Sequence, residues 1–118
     1  MNLLGQIDIT TTECIPMEIK NLDGKSLTEN EAEQPRLYLY GVDSDVFRKA
    51  LKNSQEDDEY KSEKLIASCI GAWENIKNDE GLAIECNFEN AFKLLKRYPI
   101  ALSQADVFIS KRANFLKK

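Results

Sequence analysis

The chain has 118 residues, 42% hydrophobic and 31% charged, which points to one soluble domain (1–118) with room for one modest core. A net charge of −4 argues against bulk nucleic-acid binding, and the lack of histidine excludes Ser-His-Asp, Cys-His and histidine-metal chemistry. No apolar run approaches the ~20 residues that span a bilayer, and Met1-Asn2-Leu3-Leu4-Gly5 has no signal-peptide pattern, so a cytoplasmic location without membrane contact is expected.

In chain order, Ile7 and Ile9 alternate with polar residues and read as a short strand or extended arm. Ile15, Met17 and Ile19 alternate with Pro16, Glu18 and Lys20, which predicts a half-buried strand; Pro16 cannot donate to a ladder, so this strand belongs at a sheet edge. Asp23-Gly24 is a turn signal. Ser26 to Pro35 is polar and acidic, the composition of a mobile loop. Arg36 to Val42 is β-favouring, with Leu37 and Leu39 on one face and Tyr38 and Tyr40 on the other, as for a strand covered on both sides. It is expected to pair antiparallel with the strand around residues 15–21.

Asp43 or Ser44 can cap a helix whose stripe is Val46, Phe47, Ala50 and Leu51, ending near Lys52 or Asn53. An acidic linker follows at about 54–60; it lacks the glycine of a calcium loop and reads as solvated chain. Leu65, Ile66, Cys69, Ile70 and Trp73 recur at helical spacing, predicting a helix from about Tyr60 to Glu74. Asn78-Asp79-Glu80-Gly81 is a turn, and Leu82, Ile84 and Cys86 face one way from a short strand, with a hairpin back to 73–76 left open. Asn87 caps a helix with Ala91, Leu94, Leu95 and Tyr98 on its apolar face. Pro99 ends it and opens a last helix, about Ile100 to Leu116, burying Leu102, Ala105, Phe108, Ile109, Phe115 and the stem of Arg112. The expected class is α+β: a small antiparallel N-terminal sheet, then about four helices, with a hairpin or strand between the second and third.

The charge is uneven. Residues 1–63 carry 14 acids and 7 bases, a balance of −7, whereas residues 64–118 carry 6 acids and 9 bases, a balance of +3. Lys111, Arg112, Lys117 and Lys118 crowd the end, where cations complement a helix dipole. Cys14, Cys69 and Cys86 match no metal or redox spacing and read as small buried hydrophobes. Asp8, Glu18 and Lys20 superficially resemble the acids and lysine of a metal-dependent nuclease, but a solvated strand face explains them better. No catalytic, cofactor or metal site is expected, and the chain reads as a protein that works by contact.

Three segments together carry a resemblance. The first is Arg36 to Ala50, a strand followed by Gly41-Val42-Asp43-Ser44 and a helix with an Arg-Lys pair. The second is Trp73-Glu74-Asn75-Ile76, with Gly81 after an acidic turn. The third is Phe88-Glu89-Asn90-Ala91 through Tyr98-Pro99 to Arg112-Ala113-Asn114-Phe115-Leu116. Their order, over roughly residues 13–118, resembles the tail assembly chaperones of long-tailed phages and prophages. The resemblance implies a non-enzymatic factor in the infected cell's cytoplasm. It would bind the tape measure protein, keep it soluble, help recruit the tail tube protein, and be absent from the finished virion. Many members also gain a second domain by programmed frameshifting. The alternative, of a different class, is a structural tail, head–tail connector or tail terminator subunit. For partner contact the residues singled out are Phe108, Arg112 and Phe115 on the last helix, with Trp73 behind them. An exposed edge strand and a basic helix end allow a homo-oligomer.

Overall fold

The computed structural model describes residues 7–54 and 59–117; residues 55–58, most of the expected acidic linker, lie outside it. A three-stranded antiparallel sheet is organised around its central strand, β2 (Arg36–Leu39). β1 (Ile15–Glu18) pairs with it through Ile15 opposite Leu39 and Glu18 opposite Arg36. β3 (Ile70–Glu74) pairs on the other side, with Glu74 opposite Arg36 and Trp73 opposite Leu37. Four helices complete the α+β fold: α1 (Asp45–Asn53), α2 (Lys61–Ser68), α3 (Phe88–Arg97) and α4 (Pro99–Ser110).

Leu37 and Leu39 are fully buried, in one core with Met17 and Ile19 from the β1 side and Ile66, Ala91, Leu95, Ala101, Ala105 and Ile109 from the helices. Tyr38 and Tyr40, on the opposite face, are only half-buried. The sheet therefore has one covered face and one open face, not the two-sided cover expected. The ring sizes of the tyrosines look like a second core face in sequence, but the Tyr38 hydroxyl instead donates to Glu74 at the surface.

The largest correction concerns residues 69–74. The helix expected to reach Glu74 stops at Ser68, and Ile70–Glu74 is a strand. Apolar spacing at 66, 69, 70 and 73 fits a helix, but Gly71 weakens one by about 1 kcal/mol, and the open edge of β2 offers a full ladder. The register shifts between Tyr38 and Leu39, leaving Gly71 as an extra residue on β3. A Cβ there would lie 2.9 Å from the Tyr40 ring and 3.2 Å from the Cys14 sulfur. The third strand is thus 70–74 and not 82–86.

Residues 76–84 instead form the hairpin that the sequence left open. Ile84 N–H donates to Ile76 C=O at 3.0 Å, Asn78 N–H to Leu82 C=O at 2.9 Å, and Gly81 takes φ +80° at the turn. Leu82 is exposed, so it does not share a buried face with Ile84 and Cys86 as expected.

The last helix is also shorter than expected, ending at Ser110. Lys111 is extended, and Arg112–Phe115 form a separate 3₁₀ turn. The break lets Phe115 turn inward onto Gly41, where a Cβ would lie 2.9 Å from its ring, while the Phe108 carbonyl accepts from both Lys111 N–H at 3.3 Å and the Asn114 side chain at 3.0 Å. No basic residue occupies the last turn of α4, so the terminal cations do not complement its dipole as expected. The N-terminal arm runs beside this turn: Ile9 bridges Leu116, and Thr10 N–H donates to Phe115 C=O at 2.8 Å.

The 26–35 loop is more built than its composition implies. Asn30 caps a short 3₁₀ turn at Glu31–Glu33, Gln34 is buried, and the Asn75 side chain donates to Ala32 and Gln34 carbonyls at 3.0 and 2.9 Å.

Candidate partner-binding surfaces

The expected contact residues separate in the structure. Phe115 is 1% exposed and belongs to the core, edge-to-face with Phe108 at 5.6 Å between ring centroids. It offers no surface to a partner. Arg112, whose stem was expected to be buried, keeps a side chain 63% exposed and grips Asp43 through Nε–Oδ2 at 2.7 Å and Nη2–Oδ1 at 3.2 Å. This bidentate hydrogen bond holds the Asp43 carboxyl below its ordinary value and raises the guanidinium.

Arg112–Asp43 and Phe115–Gly41 together join the terminal Arg-Ala-Asn-Phe segment to Gly41-Val42-Asp43-Ser44. Ser44 completes the junction, its buried hydroxyl donating to Gly41 C=O at 2.7 Å and accepting from Phe47 N–H at 3.0 Å to cap α1. Two of the segments that carry the family resemblance therefore meet in space, and their side chains serve packing, capping and pairing.

Phe108 is half-buried and borders an open apolar groove of about 500 Å³ with Met17, Val107, Lys111 and the short side chains of Ser103 and Asn114. Gln104 fixes the groove's wall to the β1 side of the sheet: its side chain accepts from Lys20 N–H at 2.9 Å and donates to Lys20 C=O at 2.8 Å. Val107 is 68% exposed in the groove. Sequence reasoning missed Val107 and Met17. The available signal was that α4 is apolar nearly all round (Ile100, Ala101, Leu102, Ala105, Val107, Phe108, Ile109), the pattern of a helix covered on more than one side.

Trp73 lies elsewhere. Its indole N–H donates to Ile84 C=O at 2.8 Å, tying β3 to the hairpin's return arm, and the ring lines a recess of about 220 Å³ between hairpin and α3 that none of the other three residues borders.

Lys20 pairs with Glu18 at 3.5 Å, while the Asp8 carbonyl accepts from Lys117 N–H at the chain ends. Among the described residues no cluster of three or more cysteine and acidic side chains could hold a metal, and no helix is long and apolar enough to cross a membrane. Burial pushes the Cys69 thiol up to about 12 and also raises Cys86. β1 and β3 are the two edges of the sheet, and Pro16 on β1 removes one backbone donor that an added strand would need.

Comparison of the chain with protein-family models, curated proteins and solved structures finds no match.

Proposed function

We propose that the chain is a non-enzymatic tail assembly chaperone, which holds the tape measure protein soluble in the host cytoplasm and helps recruit tail tube protein. The ordered resemblance of the three segments supports the family. The observation that carries the mode of action is the groove beside α4. A helix apolar on nearly all sides leaves Val107 open to solvent next to Phe108 and Met17, which suits a helix-in-groove contact. The apolar stripe of an amphipathic helix in the tape measure protein would cover these side chains. A long client would present many such stripes in succession, so each contact can be modest.

Coexpression with a tape measure protein of a long-tailed phage or prophage, taken from the same genome where one is encoded, tests this reading. The expected result is a soluble client that copurifies with the chain and is lost with Val107→Glu. A client equally insoluble with and without the chain would overturn it. Mass spectrometry of purified particles separates the chaperone, expected to be missing, from a tail terminator or connector subunit, which would be present in stoichiometric amounts.

A further inference from the structure

The recess at Trp73 has a different chemistry from the α4 groove. Its walls are apolar, formed by Trp73, Ile84, Leu94 and Tyr98. The indole N–H is already satisfied by Ile84, so the floor makes no polar demand on a ligand. Its rim is cationic: Lys77 from the hairpin, with Lys93 and Arg97 one turn apart on α3, against the single acid Asp79. The existing partners are loosely held. Arg97 reaches Asp79 only at 4.0 Å, and Lys93 meets Glu89 at 3.2 Å, with all four side chains more than 60% exposed. Exposed pairs of this kind exchange readily for another carboxylate. The recess also sits in the half of the chain whose balance is +3, within a protein of net charge −4.

We propose that this recess docks an acidic peptide segment of a partner protein, with one apolar side chain against Trp73 and flanking carboxylates on Lys77, Lys93 and Arg97. Apolar walls supply the anchor and the cationic rim supplies selectivity for acidic flanks. The proposal rests on charge complementarity at this recess and is independent of the chaperone reading; the two surfaces share no lining residue.

Trp73 is the chain's one tryptophan, so its emission reports on the recess directly. The probe is a synthetic peptide with a Leu-Phe centre and Asp-Glu pairs on both sides, titrated against the full chain beside its Asn-Gln counterpart. The expected result is a saturable change in Trp73 emission with the acidic peptide, weakened roughly tenfold by the double variant Lys77→Glu, Arg97→Glu. The same weakening should follow raising salt from about 0.05 to about 0.5 M. Both substituted side chains lie at the surface, and an unchanged melting curve confirms the variant's fold; the single Lys77→Gln change gives the same test with less charge perturbation. No saturation with the acidic peptide overturns the proposal. So does equal binding by the neutral peptide, or full affinity in the folded variants.

Discussion

Adding one methyl group at Gly41 measures how tightly the chain's end is seated. A Cβ built there lies 2.9 Å from Phe115 Cδ2 and 3.0 Å from Cγ and Cε2. Carbon atoms prefer about 3.5–4.0 Å, so Gly41→Ala forces the ring off its seat, an overpacking that costs about 1–3 kcal/mol. Without the clash the same change would stabilise by about 0.4–1 kcal/mol, since Gly41 has no positive φ and alanine restricts the unfolded chain. The sign of the effect therefore decides the question. Phe115→Ala removes all three clashing atoms (Cγ, Cδ2 and Cε2) together with the edge-to-face contact with Phe108, at a cost of about 3–5 kcal/mol. Combining the two changes should recover about 1 kcal/mol relative to the sum of the singles, because the second removes what the first collides with. Urea unfolding of the four proteins, followed by Trp73 emission at constant m, gives the cycle. Effects that add within about 0.3 kcal/mol, or a Gly41→Ala protein more stable than the parent, would refute the seating of Phe115 on Gly41. The explanation for α4 stopping at Ser110 would fall with it.

Three further outcomes follow from the same region and its surroundings. Ser44→Ala deletes the α1 cap and leaves Gly41 C=O and Phe47 N–H without that partner in a buried setting, so a loss of about 2 kcal/mol is expected by denaturant unfolding. The Arg112 hydrogen bond lowers the folded Asp43 pKa from its ordinary 3.8. The stability Asp43 contributes is therefore complete well above pH 3.8 and lost as pH falls through the lower folded value; the stability gap between the parent and Asp43→Asn should close on acidification, and a gap that widens would contradict the pairing. With its thiol pushed up to about 12 inside the core, Cys69 should resist a thiol reagent until the chain unfolds, while the half-buried Cys14 reacts in the native state, as read by mass spectrometry of labelled peptides.

What was legible in the sequence follows the range of the forces involved. Local signals survived: Asn87 accepts from Asn90 N–H at 2.8 Å to start α3, Pro99 opens α4, Gly24 and Gly81 take positive φ in their turns, and Pro16 sits on an edge strand. Alternation at Leu37 and Leu39 located the central strand. Where partners are distant in sequence, the local pattern misled. Ile70 and Trp73 lie at helical spacing from Ile66, yet β2 takes the segment as a strand, because its edge must be paired and Gly71 removes little by leaving a helix. Likewise the apolar residues from Phe108 to Phe115 suggest one continuous helix, and only the position of Gly41, some seventy residues earlier, explains why the chain breaks at Lys111. For the candidate surfaces, Phe115 and Arg112 stand out as contact residues by residue type, but burial assigns one to the core and Asp43 pairs with the other. Val107 carried the better signal, an apolar residue on the side of α4 that the core leaves open.

The central claim is that this chain protects an amphipathic client through the groove at Val107, Phe108 and Met17. The most direct measurement is the soluble fraction of the tape measure protein coexpressed with the parent chain or with Val107→Glu, a surface change that should leave the chain's own melting temperature intact. The account predicts a soluble, copurifying client with the parent and an insoluble one with the folded variant. Equal client solubility with the parent, the variant and no chain at all would contradict it.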